Sequence, residues 1–179
     1  MKRIILIVTV FASIIANAQT FTLKSYELGG QATNKQVLNG FGCNGENKSP
    51  QLFWENAPSG TKSFAVTIFD EDAPTGSGWW HWLIFDIPAS IKELISDAGN
   101  IKLKNAPTGA IQSITDFKTY GYGGVCPPEN SKAHRYVVTV YALKTDKLGL
   151  DQNANPAMVG FMLEQNVFEK ASLIFYYKQ

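Results

Sequence analysis

The sequence predicts a mainly β domain in which one sheet packs on another, with a few helices at the periphery. Segments 64–69, 81–87, 136–143 and 173–177 carry either strict alternation or a continuous β-branched and aromatic run. Just one segment has the signals of a helix of useful length. Gly, Pro, Asn and Asp punctuate the rest, as they do between strands. Many strands and few helices bury their apolar faces most simply as sheet on sheet.

Residues 1–18 read as a secretory leader and not as part of this fold. Lys2 and Arg3 form a positive start, residues 4–15 an apolar run interrupted by Thr9 and Ser13, and Ala16, Asn17 and Ala18 an A-x-A site. The run is shorter than the ~20 residues a membrane span needs. No cysteine follows the site to accept a lipid, and no later segment is apolar enough to span. The expectation is cleavage after Ala18 and a periplasmic or secreted product, residues 19–179, forming one domain without a transmembrane segment.

Loss of Lys2 and Arg3 takes the formal charge from +1 to −1. A nearly neutral chain has no electrostatic case for nucleic acid or an anionic membrane surface. Any anion must be held locally, by a few placed groups. An oxidising compartment allows Cys43 and Cys126 to pair, with free or buried thiols as the alternative.

In segment 64–69, Phe64, Val66 and Ile68 share a face. Segment 81–87 runs apolar until Pro88, and the β-rich segments 136–143 and 173–177 follow later. The helix is expected over 157–171, capped by Asn155, opened by Pro156, and packed through Met158, Val159, Met162, Leu163 and Val167. A second short helical turn is expected near residues 90–95. Residues 99–134 are rich in Gly, Pro, Asn and Thr and fit no regular element. In a compact domain a stretch that long is more often a functional loop than filler.

Beyond the leader the chain has two histidines, His81 and His134, and one arginine, Arg135. Asp70 and Asp72 end the first patterned strand, and alternation aims both to one side. His81 opens the next strand and His134 precedes another. Two imidazoles beside two carboxylates can hold a phosphate or carboxylate: each ring donates one hydrogen bond to the anion and spends its other nitrogen on the protein. Gly121, Gly123 and Gly124 let backbone N–H groups approach a ligand, and Trp80, Tyr122 and Tyr136 are candidates for its walls. Asp70 or Asp72 is the expected partner of the Arg135 fork. The plainer alternative is that the aspartates cap a turn and the tryptophans pack the core.

Catalytic patterns are weak. Ser77 has no nucleophile elbow around it. There is no H-E-x-x-H pair, C-x-x-C, P-loop or dinucleotide fingerprint. No cofactor, metal site or catalytic residue is expected.

These residues, taken in order, resemble the phosphatidylethanolamine-binding protein family, and most closely its bacterial Raf-kinase-inhibitor-like branch. The motifs are Asp70-Glu-Asp-Ala-Pro74, Gly78-Trp-Trp-His-Trp82, Gly123-Gly-Val-Cys-Pro-Pro128 and His134-Arg-Tyr136. The likeness runs from about Phe41 to the C-terminus and includes residues 44–50 and 62–67. It implies a large central antiparallel sheet packed on a smaller one, and a pocket for phosphate, phosphorylethanolamine or acetate-like anions. The pocket positions carried over are Asp70, Asp72, His81, Gly124, Pro128, His134 and Tyr136. Cys126 lies on the same loop, and Arg135 is expected to support that loop. Cis bonds are expected at Ala73-Pro74 and Pro127-Pro128. Where the family often has Pro between the aspartates this chain has Glu71. That frees an N–H and adds a negative charge, which alternation points away.

The expected function is therefore an exported, non-enzymatic binding protein for a small phosphorylated or carboxylated ligand, monomeric or homodimeric. An alternative is an inhibitor whose partner is an extracytoplasmic protease, another hydrolase or a signalling protein. A hydrolase using His81 or His134 as general base is the third reading.

Overall fold

The structure, a computed structural model, describes residues 19–179. The leader expected at residues 1–18 lies outside the described residues. In chain order the elements are β1 (Thr22–Lys24), β2 (Asn39–Gly40), β3 (Cys43–Asn44), β4 (Leu52–Glu55), β5 (Ser63–Asp70), β6 (Trp79–Pro88), β7 (Glu93–Leu94), β8 (Ile111–Gln112), β9 (His134–Leu143), α1 (Pro156–Asn166) and β10 (Val167–Tyr177).

The strongest strand formers lie at the centre. A five-stranded sheet runs β10-β9-β5-β6-β8, with every pairing antiparallel. Alternation divides its residues between two cores. Phe64, Val66 and Ile68 of β5 meet Trp82 and Ile84 of β6, and Tyr136, Val138 and Val140 of β9, on one face. A smaller sheet, β1-β4-β7, covers that face with Leu23, Leu52, Trp54 and Leu94. Trp54 and Phe64 join the two layers, their ring centroids 5.1 Å apart. On the opposite face Ala65, Leu83, Phe85 and Tyr141 pack against Val159 and Leu163 of α1. The sheet-on-sheet arrangement with a peripheral helix is thus present.

Several boundaries differ from the sequence reading. The helix ends at Asn166, not at 171, because residues 167–171 join β10 and pair with β9, Glu169 opposite Ala142 and Ala171 opposite Val140. Val167 and Phe168 are better strand than helix formers, and a partner strand was in reach. The cap itself is as read: Asn155 Oδ1 accepts the Met158 N–H at 2.9 Å. Val159 and Leu163 are buried, whereas Met158 is exposed. Residues 90–95 form no helix. They carry β7, whose Leu94 fills the core and whose backbone pairs with β4. Among the described residues no peptide bond is cis, so Ala73-Pro74 and Pro127-Pro128 are trans, the form ordinarily favoured by about 0.5–1 kcal/mol. Among the described residues, no helix is long and apolar enough to cross a membrane.

Cys43 and Cys126 are bridged, with Cα atoms 6.0 Å apart. The bridge fastens the β2–β3 hairpin to the loop that precedes β9. It closes a loop with a sequence separation of 83, which removes freedom from the unfolded chain and, in the chain-entropy account, stabilises by on the order of 4 kcal/mol. Replacing both cysteines by serine is expected to lower the unfolding free energy by about that amount, read from urea unfolding of the two proteins. An unchanged midpoint would contradict it.

Candidate functional site

Three strands of the large sheet bring the polar residues together, and one of them does so through a register fault. Asp70 is the last residue of β5 and lies opposite Tyr136 of β9. His134, two residues before Tyr136, shares the face of Asp70. On β6 Trp82 lies opposite Ile68, but Trp80 lies opposite Phe69, so His81 is an extra residue in a β-bulge. Strict alternation from Trp82 would send His81 to the helix side with Leu83 and Phe85. The bulge turns it instead to the face of Tyr136, whose ring it meets edge-on at 5.2 Å. Trp80 falls to the helix side, against Phe69 at 4.4 Å.

Each histidine is held by one nitrogen. His134 Nδ1 lies 2.8 Å from Asp70 Oδ2. The other Asp70 oxygen accepts the Asp72 N–H at 2.9 Å. His81 Nδ1 faces two backbone carbonyls, Gly123 O at 2.8 Å and Gly124 O at 3.1 Å. Asp70, His81 and His134 are each only 3% exposed. Among the described residues neither Nε2 has a protein partner.

The glycine-rich loop works differently from the expectation. The Gly123 N–H donates to His81 O at 2.9 Å, and the Gly124 N–H donates to Asn47 Oδ1 at 2.7 Å. These donors are spent inside the protein, so it is the carbonyls that shape the site. A Cβ on Gly124 would lie 2.4 Å from Leu38 N and 2.6 Å from Gln36 O. Glycine is required there because the backbone of 36–38 runs alongside, with Leu38 N–H donating to Val125 O at 3.0 Å.

His81, Asp70 and His134 border a cavity of about 230 Å³. Its other walls are Phe41, Ala73, Pro74, Thr75, Trp79, Phe117, Cys126, Pro127 and Pro128. Phe41 sits at the tip of the disulfide-tied hairpin with a φ of +53°, and its ring stands 5.8 Å from that of Phe117. Of the positions expected at the pocket, Asp70, His81, Pro128 and His134 line it. Three do not. Tyr136 lies behind His81, fully buried, its hydroxyl without a hydrogen-bond partner among the described residues. Gly124 serves through its carbonyl. Asp72 braces the rim: it accepts the Arg135 N–H at 2.9 Å and pairs with Lys132 at 2.7 Å. Tyr122 and Trp80 are not walls either. Tyr122 donates to Gln36 O at 2.8 Å in the core.

The Arg135 guanidinium pairs with Glu71, not with Asp70 or Asp72. The residue that replaces proline thus turns away from the cavity, and its freed N–H donates to Arg135 O at 3.3 Å. Sequence reasoning missed Phe41, Phe117 and Trp79 as walls. Phe117 is an isolated aromatic in an irregular stretch, which no pattern marks. Trp79 shares a parity with His81 that would have flagged it.

A mainly antiparallel two-sheet domain, with a small His/Asp pocket at the strand ends of its larger sheet, defines the class of protein. The sequence model of phosphatidylethanolamine-binding proteins matches residues 29–178, and the chain belongs to this family. It is 48% identical over 168 residues to the UPF0098 protein YbcL of Escherichia coli, covering 93% of this chain and 92% of that one. The UPF0098 protein YbhB of the same organism is 43% identical over 145 residues, 81% of this chain and 90% of the relative. The crystal structure of YbcL, described as a member of the mammalian family of these proteins, superposes with a TM-score of 0.87 and covers 89% of this chain and 98% of YbcL. A Chlamydia trachomatis homologue, 23% identical, shares the fold with a TM-score of 0.73, over 89% of this chain and 97% of that one.

Burial sets the electrostatics. It pushes the His81 imidazole below its ordinary value, and the two glycine carbonyls and the Asp70 charge only partly oppose it. Lys132 and the Arg135 N–H hold Asp72 below the usual carboxylate range. A histidine lowered by folding binds its proton more readily in the unfolded chain. Its contribution to stability is complete above the unfolded value of about 6.5 and is lost as pH falls below it. Unliganded protein is therefore expected to lose up to about 1.4 kcal/mol per pH unit below pH 6.5 on account of His81. His81→Gln removes that component. Urea unfolding of both proteins from pH 8 to 5 checks this, and parallel curves would contradict it.

Proposed function

We propose that this domain is a non-enzymatic binding module, exported by its leader, whose pocket takes the head group of a small phosphorylated or carboxylated compound. The observation that carries the reading is the pair of buried imidazoles, each fixed through Nδ1 and each leaving Nε2 unpartnered at one small cavity. Fixed rings present their polar atoms to a ligand without the entropy cost of ordering them at the moment of binding.

Size supports a head group and not a whole lipid. The cavity of about 230 Å³ is smaller than the ~300–1,000 Å³ of sites for drug-sized ligands. A phosphoryl or carboxyl group with a short substituent fits, and acyl chains do not. The apolar rings of Phe41, Trp79 and Phe117 suit the substituent. The family's name refers to a lipid with a phosphorylethanolamine head, which makes that head group the natural first probe.

The nucleophile inventory supports binding over hydrolysis. Cys126 is held in the disulfide, and the Thr75 hydroxyl donates to Gly78 O at 2.5 Å. Neither is hydrogen-bonded to a histidine that would act as its base.

Two-dimensional NMR titration with phosphorylethanolamine and with inorganic phosphate tests the reading. Saturable shifts are expected at residues 70–72, at His81 and across 124–136, and are expected to vanish in His81→Ala. A folded sample whose spectrum ignores both compounds would overturn it.

A further inference from the structure

The hydrogen-bond geometry of His81 carries a consequence for ligand class. A carbonyl oxygen only accepts. With Gly123 O at 2.8 Å and Gly124 O at 3.1 Å, Nδ1 must carry the ring hydrogen, and Nε2 of the neutral ring carries a lone pair. The ring is 3% exposed, and burial disfavours a second proton. His81 therefore offers the cavity an acceptor. A fully ionised oxyanion has only acceptors and meets that lone pair with its own. A ligand P–OH donates into it.

The surrounding charges favour the same outcome. Among the described residues none that lines the cavity is Lys or Arg. The nearby cations are engaged on the rim, Lys132 with Asp72 and Arg135 with Glu71. The charges that act on His81 are the carboxylates of Asp70, at the end of β5, and of Asp116, in the loop before Tyr120, where it accepts the Trp80 N–H at 2.8 Å. From β9 His81 meets the uncharged Tyr136 phenol, and His134 stands beyond, tied to Asp70. Residues 123 and 124 add only carbonyl oxygens. A dianion entering here would find no Lys or Arg among the lining residues and the lone pair of His81 Nε2.

Resting on the binding reading above, we propose that the pocket selects weak-acid oxyanions that bind carrying a proton, phosphomonoester monoanions above all, and discriminates against permanently ionised oxyanions such as sulfate esters. The ligand hydroxyl donates to His81 Nε2. Its remaining oxygens lie towards the ring of His134, whose Nδ1 is 2.8 Å from Asp70 Oδ2. No bond is made or broken. One proton is taken from solvent whenever the free ligand is a dianion.

The test is calorimetry with phosphorylethanolamine and its sulfate isostere, 2-aminoethyl sulfate, from pH 5.5 to 8 in buffers of different ionisation heat. Phosphorylethanolamine should take up close to one proton at pH 7.5, because the second phosphate pKa is about 6. Its affinity should fall about tenfold per pH unit above that value. The sulfate ester should bind at least about tenfold more weakly at pH 6, since it leaves the buried acceptor unpaired. His81→Gln, whose amide can donate, should narrow that gap. Equal binding of the two esters with proton uptake would put the proton on a histidine of the pocket and not on the ligand, and overturn the proposal. PH-independent binding of phosphorylethanolamine would also overturn it, while leaving the binding reading intact. No binding of either ester at any pH would sink both.

Discussion

The candidate site depends on a single bulged residue. His81 is inserted into β6 without a partner on β5, and this turns its ring from the helix face to the face it shares with Tyr136. Asp70 and His134 reach that face by simple alternation on β5 and β9, being neighbours across an antiparallel pair. Without the bulge the two histidines would stand on opposite sides of the sheet. Bulges commonly re-aim side chains near functional sites; this one also fixes what the ring does next. Its Nδ1 meets the carbonyls of Gly123 and Gly124, and that contact holds β6 to the loop carrying Cys126, Pro127 and Pro128.

From that contact follow the other features of the pocket. The loop can approach closely because Gly124 has no side chain to strike Leu38 and Gln36. Asn47 takes the Gly124 N–H, so the carbonyls are directed at the imidazole. The disulfide brings Phe41 over the opening. The result is a cavity with apolar walls and a floor of two tethered imidazoles and one carboxylate whose oxygens are both engaged. Such a surface suits the proposed binding of a small polar head group, by hydrogen bonds more than by charge.

The layers of the fold could be read from the sequence because the decisive strands are long, β-branched and aromatic. Residues 64–69 and 136–143 fell inside β5 and β9, with the shared face of Phe64, Val66 and Ile68 correctly assigned. The end of the helix was harder to read, since Val167 and Phe168 favour strand while Glu169, Lys170 and Ala171 favour helix, and pairing with β9 settles the stretch as strand. Asp70, His81 and His134 were legible as a cluster because histidine is so scarce in this chain, and the four ordered motifs pointed the same way. The mechanism of their convergence was not. A bulge leaves no periodic trace in a run such as 79–85, where every residue but His81 is apolar. Nor do glycines announce whether their N–H or their carbonyl will face a site, and here the second proved true. Glu71 shows the reverse case: alternation alone placed it away from the pocket, and Arg135 receives it there.

The central claim is that His81 is held as a neutral ring with its hydrogen on Nδ1 and a bare Nε2 facing the cavity. Long-range proton–nitrogen correlation NMR of nitrogen-labelled protein reads this directly at pH 7 without ligand. The account predicts one pyrrole-like and one pyridine-like nitrogen for His81, with Nδ1 the protonated one, and with the pattern lost in His81→Gln. A proton on Nε2, or two protons on the ring, would contradict it.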